Sequence, residues 1–179
     1  GQSNVANPNL KWETTTSFNV GLDFTMMKRI FGSLDFYHKN TTDLLFQSTA
    51  IQPAPASIFF INLPANLINT GIEFAIGADI IANKQFSWDA GFNIAYNKNK
   101  LKNFNQATIL TGKIDGQGVS GTLGQVITND QPVNEFYLKK FNGFDKDGIQ
   151  MIEDNPSYAG DPNPHVILGF TNTLRLNKL

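Results

Sequence analysis

Strict alternation of apolar and polar residues is the feature that most narrows what this chain can become. In "GIEFAIGADII" (71–81), Ile72, Phe74, Ile76, Ala78 and Ile80 share one phase. Gly71, Glu73, Ala75, Gly77, Asp79 and Ile81 share the other. A period of two sends the phases to opposite faces of a strand, one dry and one wet. The pattern returns at 12–24, aligning Phe18, Val20, Leu22 and Phe24 against Ser17, Asn19, Gly21 and Asp23. It returns again at 30–40, with Ile30, Leu34 and Phe36 opposed to Ser33, Asp35, Tyr37 and Lys39. Residues 86–97 align Phe86, Trp88, Ala90, Phe92, Ile94 and Tyr96; residues 166–176 align Val166, Leu168, Phe170, Leu174 and Leu176.

Charge is sorted by the same phase. On the first four strands the apolar face holds no Asp, Glu, Lys or Arg, while the other holds Asp23, Asp35, Lys39, Glu73, Asp79 and Asp89. The runs are longer than the roughly 5–6 residues usual in soluble sheets, and near the roughly 9–11 that cross a bilayer. Their connections alternate in length: "MMKR" and "ANKQ" are short, 47–64 and 98–164 are long. Membrane barrels of the up-and-down type alternate in this way, with short turns at one rim and long loops at the other. A soluble sandwich or lipocalin-like barrel sorts charge too, with its dry face turned inward. Alternation alone leaves both architectures open.

Composition removes other classes. The net charge of -1 gives no electrostatic footprint for nucleic acid. With no cysteine among 179 residues, disulfides, thiolate catalysis and Cys-based zinc sites are excluded. Fifteen Phe and fifteen Gly against three Met favour strand and turn over helix. No apolar run reaches helical membrane-spanning length, and the first residues, "GQSNVANPNLKWE", lack the pattern of a signal peptide. A mean hydropathy of -0.21 is compatible with barrel strands, which interleave polar residues among apolar ones.

Four segments in succession, "NPNLKWETTTSFNVGLDF", "GSLDFYHKNTTDLLF", "NLPANLINTGIEFAIGADI" and "FSWDAGFNIAYNKNKL", resemble consecutive barrel strands of the SusC/RagA family. The tail "GFDKDGIQ...AGDPNPHVILGFTNTL" resembles a later segment of that family. These are TonB-dependent outer-membrane transporters of Bacteroidetes. The resemblance implies an all-β fold of antiparallel up-and-down strands, part of a 22-stranded transmembrane barrel. It implies nutrient import, of an oligosaccharide or a peptide, across the outer membrane of a Gram-negative bacterium. Implied partners are a SusD-like lid lipoprotein, TonB acting through a plug, membrane lipid and the rest of the transporter. No plug-like segment is legible, and five long strands are too few to close a barrel. The expectation is a barrel fragment with strands near 12–24, 30–46, 66–81, 86–99 and 165–176. The alternative is a free-standing soluble β-sheet module that binds a ligand.

No enzyme is expected: neither G-x-S-x-G nor H-E-x-x-H occurs, and nothing pairs two of the fifteen acids for glycosidase chemistry. "GQGVSG" (116–121) fits G-x-G-x-x-G, but the β-branched, proline-ended stretch "TLGQVITNDQP" after it does not open a helix. No cofactor is expected. The candidates for a calcium loop are Asp145, Asp147, Glu153 and Asp154, against which stand Ile149 and Pro156 at ligand positions of an EF-hand. His38 and His165 lack a second ligand at metal-binding spacing. Phe59 and Phe60 in the apolar loop stretch "SIFFIN", and Phe136, Tyr137 and Phe141 in "EFYLKKF", are the candidates for touching ligand or partner, or for packing on neighbouring loops.

Overall fold

The alternating segments are strands in the computed structural model, which describes residues 4–49, 56, 58–117 and 119–176. In chain order the strands are β1 (Asn4–Val5), β2 (Thr14–Met26), β3 (Ile30–Thr42), β4 (Leu44–Thr49), β5 (Ile58–Leu63), β6 (Asn66–Ala82) and β7 (Phe86–Lys102). They continue as β8 (Ile109–Gly116), β9 (Val119–Ile127), β10 (Glu135–Leu138), β11 (Phe141–Phe144), β12 (Gln150–Ile152), β13 (Ser157–Gly160) and β14 (Val166–Leu176). Among the described residues there is no helix, as the all-β expectation required. The chain divides into two units.

One unit comprises Thr16–Asn40, Asn69–Lys98 and the chain from Pro164 onward. It holds most of a five-stranded sheet ordered β14-β7-β6-β3-β2. The alternating phase of the sequence survives in the register: Val166 opposes Tyr96, Leu168 opposes Ile94, Phe170 opposes Phe92 and Leu174 opposes Trp88. Apolar residues therefore meet apolar residues across strands, and the opposite face carries Gly169 against Asn93 and Thr173 against Asp89. The β2–β3 turn places Met27 and Lys28 at φ 54 and 59, the double positive-φ geometry that suits a tight hairpin. Glycines let rings lie on the sheet: Phe24 covers Gly32 on the apolar face and Tyr37 covers Gly71 on the polar one, where a Cβ would strike the ring.

The other unit comprises residues up to Thr15, Thr41–Ile68 and Asn99–Asn163. Its strands form three ladders, β1-β5-β4, β13-β10-β9-β8 and β11-β12. The described parts of the long stretches 47–64 and 98–164 therefore hold paired strands. Strand β3 ends at Thr42 and β4 begins at Leu44, because Asp43 takes a left-handed conformation (φ 54) that breaks the run expected to reach residue 46. Leu63, Ala65, Leu101, Phe104 and Ile127 form a buried core with Leu44, Phe46, Ile61, Leu67, Ile109 and Val133 against it.

The segment "NPNLKWE" is fixed by side chains that imitate a strand. Asn62 accepts from the Lys11 amide (2.8 Å) and donates to the carbonyls of Lys11 (2.9 Å) and Asp43 (2.7 Å). Asn7 donates to the Phe60 carbonyl, and Glu13 accepts from the Leu45 amide at 2.7 Å. These bonds satisfy backbone groups that irregular chain would otherwise leave open.

Candidate functional site

The five-stranded sheet presents two chemically opposite surfaces. Its apolar surface is uncovered. Among the described residues every buried hydrophobic side chain (Ala56, Leu63, Ala65, Leu101, Phe104, Val126 and Ile127) belongs to the other unit. Leu168, Phe170 and Leu174 stand 62%, 70% and 60% exposed, and Phe18, Val20 and Leu22 are exposed with them. Water does not tolerate so large a continuous apolar surface. Strand β14 has 11 residues, which at about 3.3 Å each and a tilt near 45° rise roughly 25 Å, the height of a barrel's lipid-facing band.

Polar groups on that surface satisfy one another. Asn172 lies in the apolar phase, and the Trp88 indole N–H donates to its Oδ1. In hydrocarbon an unpaired amide costs several kcal/mol, so the pairing suits a lipid-facing position. Toward one end of the sheet the Tyr96 and His165 rings meet edge to face at 6.3 Å, and His38 Nδ1 lies 2.9 Å from Thr70 Oγ1. Phe86 and Trp88 stand toward the other end, opposite Leu176 and Leu174. Aromatic and amphipathic side chains at both ends are what membrane interfaces select.

The polar surface gathers the charges. Arg175 Nη1 meets Asp89 Oδ2 at 2.7 Å. Tyr37 donates to Asn97 Oδ1 at 3.1 Å, and Lys39 Nζ stands 5.2 Å from the Tyr37 ring centroid. A hollow of about 610 Å³ opens on this face, lined among others by Asp23, Phe31, Ser33, Gly77, Asn93 and Thr171. Such a surface can face water or hydrogen-bonding solutes.

The loop candidates do not converge on one site. Phe59 and Phe60, in a stretch the sequence read as loop, are half-buried within β5, opposite Ser48 and Gln47 of β4. Phe136 and Tyr137 are half-buried in β10, and Tyr137 packs on Tyr158 with centroids 5.5 Å apart. Phe141 is 53% exposed and packs edge to face on Phe144 at 5.3 Å.

Of the acidic candidates, Asp145 holds the turn that joins β11 to β12. Asp145 Oδ1 accepts from the amides of Asp147 and Ile149, both at 2.8 Å, and Glu153 Oε1 accepts from Asn142 at 3.2 Å. Asp147 and Asp154 are exposed. Among the described residues no three His, Asp or Glu side chains gather where they could hold a metal ion. The G-x-G-x-x-G segment joins two strands, with Gly116 opposite Val119 and no helix after it; its Gly118 lies outside the described residues. A phosphate-cradling helix N-terminus therefore does not form there.

Sequence reasoning missed the polar lock beside the loop core. Asp130, at φ 64, receives Lys102 in a short ion pair and Lys100 at 3.3 Å. The hydrogen bond from Lys102 holds the Asp130 carboxyl below its ordinary range, and the same bond raises Lys102. Leu101 between the lysines is buried; its amide donates to Gln131, and its carbonyl accepts from Asp130. The signal available beforehand was K-x-K flanking an apolar residue, which does not name a partner 28 residues away.

Comparison with known proteins supplies the remaining observations. Residues 1–163 match the family described as TonB dependent receptor-like, beta-barrel. The TonB-dependent receptor SusC of Bacteroides thetaiotaomicron is 40% identical over 94% of this chain and 18% of its own length. The TonB-dependent receptor P26 of Formosa agariphila is 28% identical over 97% of this chain and 20% of its own. The solved structure of the RagAB peptide transporter superposes with a TM-score of 0.76 at 21% identity, covering 96% of this chain and 20% of that one, a likeness of fold. The chain thus spans about a fifth of the length of these relatives.

Proposed function

The chain belongs to the TonB-dependent receptor-like β-barrel family, and from that premise we propose that it forms one wall section, with its external loops, of an outer-membrane nutrient importer. The fold is part of a large transmembrane barrel, and proteins of this family are outer-membrane proteins. The observation that carries the reading is the uncovered apolar face of the five-stranded sheet, about one lipid band tall. In a free-standing soluble module that face would be buried against a second layer.

In the whole importer the wall is passive. Its apolar face meets lipid and its polar face lines the interior, while the unit built on Leu63, Leu101, Phe104 and Ile127 supplies the external loops. Energy comes from TonB through a plug supplied by the rest of the polypeptide. Cargo is an oligosaccharide or a peptide, received together with a SusD-like surface lipoprotein on a Gram-negative cell. The relation to SusC and the fold shared with a peptide transporter support this reading. No catalytic step belongs to this section. Phe59 and Phe60 stiffen their ladder, and the Tyr137–Tyr158 ring pair is the aromatic surface assigned to cargo or lid.

The absence of native cysteine in this section gives a direct test. Single cysteines at Leu168, Phe170, Thr171 and Asn93 of the parent protein, made cysteine-free elsewhere, are challenged in outer membranes with a water-soluble maleimide. Labelling at 171 and 93 with protection at 168 and 170 is expected. Equal labelling of both faces would remove the wall reading, and uptake that persists without TonB would remove the importer reading.

A further inference from the structure

The apolar face of the five-stranded sheet carries almost no charge. Among the described strand positions of the sheet's unit that share the phase of Ile72 and Phe92, Lys98 is the only Asp, Glu, Lys or Arg. Lys98 is exposed and forms no ion pair with a described residue.

Its neighbours follow from the rows across the sheet. Tyr37 covers Gly71 and donates to Asn97 Oδ1, which sets Tyr37, Gly71 and Asn97 side by side on β3, β6 and β7. One position along, on the other face, the row reads His38, Thr70 and Lys98. His38 Nδ1 lies 2.9 Å from Thr70 Oγ1, as that register requires. The next row toward the middle holds Phe36, Ile72, Tyr96 and Val166, all exposed and none charged. The depth of the His38 row matches a lipid headgroup. Phe92 and Phe170 oppose each other near the middle of the sheet. From residue 92 to residue 98, at about 3.3 Å each and a tilt near 45°, the chain climbs roughly 14 Å. Half of a hydrocarbon core of about 30 Å is ~15 Å, so Lys98 stands where acyl chains end and phosphates begin.

We infer that His38, Thr70 and Lys98 seat the phosphate of an anionic membrane lipid, at the end of the sheet where β6 and β14 start. The inference rests on the reading of this sheet as lipid-facing wall. Lys98 supplies a compact positive charge with three donors for phosphate oxygens. With Nδ1 engaged by Thr70, the donor left on the His38 ring is Nε2–H; a phosphate oxygen there selects the tautomer in which Thr70 donates to Nδ1. Strands about 4.8 Å apart set the backbones of His38 and Lys98 roughly 10 Å apart, a gap that a lysine stem and an imidazole close around one phosphate. The apolar row beneath decides for a lipid over a free anion. A lipid covers Phe36, Ile72 and Val166 with its chains while its phosphate meets Lys98, whereas a free anion leaves those side chains bare.

The parent protein, cysteine-free apart from Ile72→Cys, is labelled at that position with a coumarin and reconstituted in phosphatidylcholine vesicles. Phosphatidylglycerol or phosphatidylcholine with brominated chains is then titrated in, and quenching is followed. Phosphatidylcholine carries the same phosphate balanced by its own choline, so the comparison isolates the anionic headgroup. Half-maximal quenching by phosphatidylglycerol is expected at a mole fraction at least about threefold lower, in keeping with one lysine at an anionic surface. K98Q/H38Q is expected to bring the two lipids together, and K139Q/K140Q, which removes charge elsewhere, to keep the preference. Equal quenching by both lipids in the wild-type protein, or a preference that survives K98Q/H38Q, would overturn the inference. Loss of the preference on adding excess inorganic phosphate would make the ligand a free anion and overturn it as well. If the double variant fails to insert, K98Q alone, a change at one exposed side chain, decides in its place. Quenching by neither lipid would remove the wall reading and this inference with it, so the two failures are distinguishable.

Discussion

Replacing Phe170 with Ala measures directly what the apolar face touches. Phe170 lies near the middle of β14, opposite Phe92, and is 70% exposed in the sheet. An aromatic side chain offers roughly 200 Å², so roughly 140 Å² of Phe170 waits for an environment. At about 25 cal/mol per Å², placing that area in lipid contributes about 3.5 kcal/mol; alanine keeps a fraction, leaving a loss of about 2–3 kcal/mol. In water the same truncation of an exposed ring costs close to nothing. Phe170→Arg adds about 2–4 kcal/mol for a cation near the midplane. The neighbouring Thr171 supplies the control, since it faces the other way and its hydroxyl bonds the Gly91 carbonyl at 3.4 Å. Thr171→Arg is expected within about 0.5 kcal/mol of wild type, as for a solvated surface position. The assay is denaturant unfolding of the parent protein in phospholipid vesicles, compared by midpoint at constant slope. Equal losses at 170 and 171, or a larger loss at 171, would refute the assignment of faces.

Two further outcomes concern contacts that join distant parts of the chain. Trp88→Phe leaves the Asn172 amide unpaired on the apolar face and is expected to destabilise the parent protein by about 1–2 kcal/mol, while adding Asn172→Leu restores most of the loss in a double-mutant cycle. The Asp130 lock predicts a pH dependence whose sign is fixed. The carboxyl is held below its ordinary value near 3.8 by the Lys102 hydrogen bond, so its stabilising effect is present above that value and fades as pH falls through the lower folded value. Lys102 is raised above its ordinary 10.5, so its share is present below that pH and is lost on going higher. Hydrogen exchange at the Leu101 and Asp130 amides should accelerate below about pH 4 beyond the intrinsic trend, and Asp130→Asn should abolish the excess; an unchanged excess in the variant would rule out the lock.

How much of this was legible in advance depends on the range of each interaction. Pleating alternates side chains residue by residue, so the sequence alone assigned Phe18, Ile76, Phe92 and Leu174 to one face and Asp35, Glu73 and Asp89 to the other. It also carried the family resemblance, because the strand-and-turn order is written in consecutive segments. Alternation could not say what lies against the dry face. That depended on finding every buried hydrophobic side chain among the described residues in the other unit, leaving the sheet uncovered.

Where partners are far apart in the chain, local pattern carried no information. Leu63, Leu101, Phe104 and Ile127 sit in stretches that read as long loops or at their edges, yet they pack into one core. Phe59 and Phe60 read as loop aromatics because prolines precede them, while the ladder with β4 half-buries them. The inserted residue at Gly143 joins two rings that strict alternation would have set on opposite faces. Chain order by itself determined the five long strands and their two faces, since both arise from the geometry of adjacent residues. Tertiary structure decided which groups meet across the chain, since register, inserted residues and ladder order are settled only when distant segments pair.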